Sequence, residues 1–251
     1  MNIWNDTEIY EVELNLLADD TNTVSIPLDF LGNTSVRFLI DIHNSNYSLV
    51  IDPLAFRSSQ NSLFAFSVRY FDFGLQKDFK FLNGFDKLRD LTIYDIINFT
   101  AFQYLPSLPS LQELTVGYCP ELNQIAFSDL SSAKLNYLDL NGNEMIDEKA
   151  DEIFAELATS NSSDSLEYLD LWSNSLTEFP SQVGSAFPKL KSLNLNNNKI
   201  SHILSASFTF VSPYLEDLYL GFNELKTIES GGFRGKLNSA RAINIFFGVK
   251  S

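Results

Sequence analysis

The stretch Leu166-Glu167-Tyr168-Leu169-Asp170-Leu171-Trp172-Ser173-Asn174-Ser175-Leu176 returns at 190–200 as Leu190-Lys191-Ser192-Leu193-Asn194-Leu195-Asn196-Asn197-Asn198-Lys199-Ile200. It returns again at 215–225 as Leu215-Glu216-Asp217-Leu218-Tyr219-Leu220-Gly221-Phe222-Asn223-Glu224-Leu225. All three obey the template L-x-x-L-x-L-x-x-N-x-L, with starts 24 and 25 residues apart. Self-similarity at such a period is the signature of a stacked-repeat architecture, in which no single repeat buries its own apolar face.

The register extends outward from these copies. Leu135, Leu138, Leu140, Asn143 and Met145 form a further good copy, and Leu111, Leu114 and Val116 form another with Cys119 in the Asn slot. Leu88, Leu91 and Ile93 are weaker, with Ile96 in that slot, and Leu63, Phe66 and Val68 are weaker still. Downstream, Ala240, Ile243 and Ile245 continue the period with Gly248 in the slot. Each L-x-L predicts one short strand, alternating between core and open face. The slot Asn predicts an inward turn whose amide satisfies backbone groups of adjacent turns. Losing it would leave buried polar groups unpaired, at roughly 1–3 kcal/mol each. Cys119 reads as a slot residue with a weak S–H donor, not a reactive thiol. The interval from Leu135 to Leu166 is long, at 31 residues, and holds Ile146, Ile153, Phe154 and Leu157 at helical spacing among acids. This predicts one helix over 146–157 on the convex side, with a return loop at 161–165.

These copies resemble the leucine-rich repeat family over about residues 63–251. The period, with a small residue and Phe downstream (Ser207-Phe208, Gly232-Phe233), resembles its 24–25-residue subclass. The resemblance implies an α/β solenoid of about eight turns, a horseshoe with a parallel β-sheet on its concave face and a mostly irregular or short-helical convex side. It also implies a non-enzymatic protein-binding module of the kind mostly found outside cells. The family's extracellular members usually carry cysteine-rich caps, which a chain with 1 Cys cannot build. Leu218-Tyr219-Leu220-Gly221-Phe222-Asn223, Ile228-Glu229-Ser230-Gly231-Gly232-Phe233 and Trp172-Ser173-Asn174 resemble arthropod repeat proteins similar to the non-catalytic subunit of a shrimp luciferin mono-oxygenase. That likeness implies an alternative role, a structural subunit of a secreted enzyme complex.

Residues 1–62 read as a separate β-rich cap and degenerate first turn, since a solenoid end exposes a raw core edge. Tyr10, Val12, Leu14 and Leu16 alternate, as do Val24, Ile26, Leu28 and Phe30, around Asp19-Asp20-Thr21-Asn22. This predicts a β-hairpin or two strands. Val36, Phe38, Ile40 and Ile42 predict a third strand, ending at His43. At the other end, 240–251 reads as a closing strand, with Phe246 and Phe247 over the last core edge.

Composition narrows function. Lys and Arg number 17 against 32 Asp and Glu, a net charge of −15, so nucleic acid and anionic lipid are poor partners. With 1 Cys and 2 His (His43, His202), zinc sites, disulfide frameworks and imidazole chemistry have little material. Asp139-x-Asn141-x-Asn143 imitates a calcium loop, but Glu144 stands where Gly is needed and Ala150 where Glu is needed. Gly231-Gly232-Phe233-Arg234-Gly235 lacks the Lys-Ser/Thr of a phosphate loop. We therefore expect no catalytic residue, metal or cofactor. No apolar run approaches the ~20 residues of a membrane span. The start at Met1–Asp6 lacks the basic and apolar regions of a leader, so the protein is either secreted with its leader outside this sequence or cytoplasmic. Sequons stand at Asn5, Asn33, Asn46, Asn98 and Asn161.

The repeat register assigns the open face. Its third, fifth, seventh and eighth positions gather Tyr94, Tyr118, Tyr137, Asp139, Tyr168, Asp170, Trp172, Asp217, Tyr219 and Phe222. These are the expected partner-binding residues, and their sign predicts a protein with a basic surface. Aromatics on such a face are either a surface awaiting a partner or a stack that stabilises the parallel sheet itself.

Overall fold

The computed structural model describes residues 8–15, 23–76, 78–98, 106–120, 133–205, 207, 212–230 and 242–244. The chain divides into two compact units, Met1–Ala133 and Lys134–Ser251, each built as a parallel-strand solenoid.

The first unit contains β1 (Glu8–Asn15), β2 (Thr23–Ile26), β3 (Ser35–Ile51), β4 (Ala65–Asp72), β5 (Asp90–Tyr94) and β6 (Glu113–Gly117). β1 and β2 both lie parallel to β3, the first along Ser35–His43 and the second along Ser48–Ile51. No hairpin forms between β1 and β2. Instead the partners Glu8↔Ser35, Leu39↔Ala65, Ala65↔Asp90 and Asp90↔Glu113 carry the repeat offset back to the N-terminal strands. The boundary expected at residue 62 falls between β3 and β4, which pair with one another. β3 continues past His43 to Ile51, so His43 sits inside a strand and not at its end. Alternation then does the sorting: Leu91 and Ile93 of β5, and Leu114 and Val116 of β6, are buried. The core behind them is phenylalanine. Phe56, Phe66 and Phe81 are fully buried, with ring centroids 5.7 Å apart for Phe56–Phe66 and 5.5 Å for Phe66–Phe81. Short 3₁₀ turns at Arg57–Ser59 and Lys80–Leu82 return the chain.

The second unit stacks β7 (Tyr137–Asp139), β8 (Tyr168–Asp170), β9 (Ser192–Asn194), β11 (Asp217–Tyr219) and β13 (Ala242–Asn244) in parallel. Tyr137, Tyr168, Ser192, Asp217 and Ala242 share one register row. A second parallel pair, β10 (His202–Ile203) and β12 (Thr227–Ile228), forms on the descending side. Phe246 and Phe247 lie outside the described residues.

The asparagines do what their spacing requires. Asn174 Nδ2 donates to Leu140 O (2.9 Å) and Leu171 O (3.0 Å), while its Oδ1 accepts from Asn143 N (3.1 Å) and Met145 N (3.0 Å). Asn198 bridges Leu171 O, Leu195 O and Leu176 N, and Asn223 repeats the pattern one turn on with Leu195 O, Leu220 O and Ile200 N. Each of these three amides thus stitches its own turn to the one before it. Cys119 fills the equivalent place in the first unit. It is buried and its Sγ donates to Gly117 O at 3.3 Å. Burial, with the Asp95 charge in a smaller part, pushes the thiol up to about 12, so it is not a nucleophile at neutral pH.

The long repeat folds as α1 (Asp147–Ala158), with Ala150, Ile153, Phe154 and Leu157 buried. Phe154 meets Phe187, just beyond α2 (Val183–Ala186), edge-on at 5.8 Å. Ile146 departs from the expected apolar face and is 53 % exposed. It occupies the N-cap in an extended conformation, so it precedes the helical stripe. The Asp147 carboxylate accepts from Thr177 Oγ1 (2.6 Å) and Thr177 N (3.1 Å), tying the helix start to the next turn.

Candidate functional site

In the second unit the open face begins with Tyr137 and Tyr168, register partners whose rings lie 6.4 Å apart. Trp172 and Phe222 follow on the turns after β8 and β11, and Asp217 and Tyr219 are half-buried on β11. Tyr168, Trp172 and Phe222 are 45 %, 36 % and 62 % exposed. These are large rings held outside the core by strand alternation and by the turn geometry.

The acids of this face differ from the expectation of open charges. Asp139 is buried, and its Oδ1 accepts from Asn141 N (2.9 Å) and Asn141 Nδ2 (2.6 Å). Burial holds the Asp139 carboxyl above its ordinary value, with the Asp170 charge adding to the shift. Asp170 Oδ1 accepts from Trp172 N at 2.7 Å and its Oδ2 from Asn194 Nδ2 at 2.9 Å. Asn194 Oδ1 in turn accepts from Asn196 N at 3.1 Å. The fifth repeat position therefore caps the turn that follows its strand, as short polar side chains do when they bond the backbone two residues on. Asp170 also sets the backbone from which Trp172 projects.

The first unit holds its own row. Tyr94 and Tyr118 meet at a tilt of 51° with ring centroids 5.3 Å apart, and Tyr70 meets Tyr94 at 6.5 Å. Tyr70 was absent from the sequence-derived set, although it stands 24 residues before Tyr94. The expected binding residues are thus two sets: Tyr94 and Tyr118 in one unit, the remaining eight in the other.

One conformational feature recurs in both units. The eighth repeat position has a left-handed backbone at Tyr70 (φ 62°), Asp95 (53°), Tyr118 (53°), Gly142 (68°), Ser173 (57°), Asn197 (58°) and Phe222 (56°). For L-residues this conformation costs roughly 1–2 kcal/mol, and bulky aromatics are its least natural occupants. Three aromatics accept it here.

The face of the first unit also carries a polar cluster the sequence reading missed. His43 Nε2 lies 3.3 Å from Glu13 Oε1 and its Nδ1 3.9 Å from Asp41 Oδ2, while Arg69 Nε donates to Ser67 Oγ at 2.8 Å and stands 3.7 Å from Asp41 Oδ1. These residues converge only once β1, β3 and β4 are in register. His202 is exposed, as its place between two core isoleucines predicted, and its Nδ1 meets Ser201 Oγ at 2.7 Å. Among the described residues no group of three or more His, Cys, Asp or Glu could hold a metal ion, and no helix is long and apolar enough to cross a membrane. Of the sequons, Asn33, Asn98 and Asn161 are exposed, with Asn98 Nδ2 donating to Asp72 Oδ1. Asn46 lies in β3, and Asn5 falls outside the described residues.

Parallel strands at a 23–31-residue offset, with a buried asparagine ladder closing the turns of the second unit, define a repeat solenoid of the leucine-rich kind. Residues 164–212 match the family model described as leucine rich repeat. No curated protein matches the chain.

Proposed function

We propose that the protein is a non-enzymatic recognition module that binds a protein partner through the open face of its second unit. The observation that supports this reading is the set of exposed aromatics, Tyr168, Trp172 and Phe222, beside the half-buried Tyr219. Rigid aromatic rings lose little entropy on binding and dominate interface energetics. Asp217 and Asp170 flank them, and the chain's net charge is −15, so the partner presents a basic surface. Capture from native extract tests this. The wild-type protein retains a partner, whereas the Tyr168→Ala/Trp172→Ala protein, folded by circular dichroism, does not. Equal retention by both would sink the assignment.

The 24–25-residue subclass and the exposed Asn33, Asn98 and Asn161 support a secreted glycoprotein. Expression through a eukaryotic secretory route, followed by glycosidase treatment, should lower its apparent mass. No mass change would return the chain to the cytoplasmic reading.

A further inference from the structure

In the first unit, β1 and β3 pair as Ile9↔Val36 and then as Glu11↔Leu39, so β3 carries one extra residue here. Arg37 and Phe38 together oppose Tyr10. Such a bulge re-aims side chains, and bulges are over-represented beside functional sites. Arg37 and Phe38 are both exposed although they are consecutive, against the alternation that β5 and β6 keep. Tyr10 and Phe38 stack at 5.1 Å with an interplanar angle of 3°, and Tyr10 is 65 % exposed. One strand further, the Arg89 guanidinium lies over the Phe64 ring at 5.3 Å. Tyr10, Arg37, Phe38, Phe64, Arg89 and Asp90 line an open groove of about 400 Å³.

In a chain of charge −15, the groove brings two guanidiniums, Arg37 and Arg89, to one wall, with Asp90 beside them and Glu113 next to it across the β5–β6 register. Guanidinium is planar, stacks on rings and pairs with carboxylate or sulfonate through two parallel hydrogen bonds. The volume lies at the small end of the range for small-molecule sites, too small for a folded domain. We propose that this groove binds a small planar aromatic anion, whose ring extends the Tyr10–Phe38 stack and whose acid group pairs with Arg37 and Arg89.

The test uses the full chain and two dyes of the same ring system. Anilinonaphthalene sulfonate is the anion and phenylnaphthylamine its uncharged counterpart. The anion should bind saturably at one site, and Arg37→Gln/Arg89→Gln should weaken it at least tenfold while changing the uncharged dye less than twofold. Trp172→Ala, which removes a ring of the partner face, should leave it unchanged, so this proposal and the partner reading fail separately. A measurement needing no variant is photolabelling with benzoylbenzoate and peptide mapping. Label should fall on the segments that carry Tyr10, Phe38 or Phe64. Unsaturable dye binding, equal anion affinity in a folded double variant, or label mapped elsewhere would each overturn the proposal.

Discussion

At the ninth repeat position the first unit carries Phe71, Ile96 and Cys119, and the second carries Asn143, Asn174, Asn198 and Asn223. All seven are buried. A turn must satisfy its backbone groups somehow, and the two units do so differently. In the first, strand pairing runs on through the turn: Phe73 N donates to Ile97 O and Ile97 N to Phe71 O, both at 3.0 Å, around an Asp72↔Ile97 bridge. Its strands are accordingly long, 17 residues in β3 and 8 in β4. In the second, strands β7, β8 and β9 stop after 3 residues and side-chain amides take over. The first unit's interior is also richer in Phe, and the second's is mostly Leu with a few Phe such as Phe154 and Phe187. One spatial problem therefore has a main-chain solution and a side-chain solution within one chain.

The sharpest test of the phenylalanine interior is Phe66→Ala. It removes a fully buried ring that touches Phe56 and Phe81, and should cost about 3–5 kcal/mol in urea unfolding. A loss near 1 kcal/mol would mean that this interior collapses around the gap and is not tightly packed. Next in size is Asn198→Ala. It strands Leu176 N and leaves the carbonyls of Leu171 and Leu195 to the amides of Asn174 and Asn223 alone, and should cost about 2–3 kcal/mol. The reciprocal change, Ile96→Asn, puts an amide where main-chain pairing already satisfies the turn. It should destabilise by about 2 kcal/mol. A neutral or stabilising result would show that the slot alone dictates the turn, and the contrast between the units would fail.

A smaller effect of opposite sign probes what the units share. Phe222→Gly relieves the left-handed backbone and should raise stability by about 1 kcal/mol, whereas Phe222→Ala should not. If Phe222 belongs to the binding face, the stabilised Gly variant loses partner affinity. A Gly variant no more stable than the wild type would mean that the ring's own contacts outweigh the strain.

The Asn slot and the L-x-L strands were legible in the sequence because their side chains perform the satisfying and the burying. The N-terminal strands were half legible. Alternation in Val36–Ile42 and Val24–Ile26 marks strands but does not name their partners, so parallel pairing of β1 and β2 with β3 emerged only from the register. The eighth position was illegible for a different reason. Tyr and Phe argue against positive φ, so nothing in their identity announces it. The turn-capping job of the acids was hidden because a carboxylate on an outward position reads the same whether it only meets solvent or, like Asp139 and Asp170, also bonds the backbone two residues on. The Tyr10–Arg37–Phe38 groove was hidden by the one-residue bulge, which breaks the alternation that made the rest readable.

The smallest expected effect concerns Asp139, where the two possible jobs of an acid on this face separate. Its carboxyl is held above the ordinary value of 3.8, first by burial, against the opposing pull of the Asn141 backbone and side-chain hydrogen bonds, and with Asp170 adding repulsion. A carboxyl raised in this way binds its proton more tightly in the folded than in the unfolded chain. Its contribution to stability therefore falls as pH rises from 3.8 through the folded value, and stays low above it. Asp139→Asn keeps an oxygen to accept from Asn141 and removes the charge. It should add stability at pH 7 and none well below pH 3.8, read as the difference between variant and wild-type urea midpoints at the two pH values. A gain at neutral pH with partner capture intact makes Asp139 a turn residue. A stability loss at pH 7 would show that its ionised form is needed to hold Asn141, and would set the turn of this repeat apart from the one that Asn194 caps with a neutral amide.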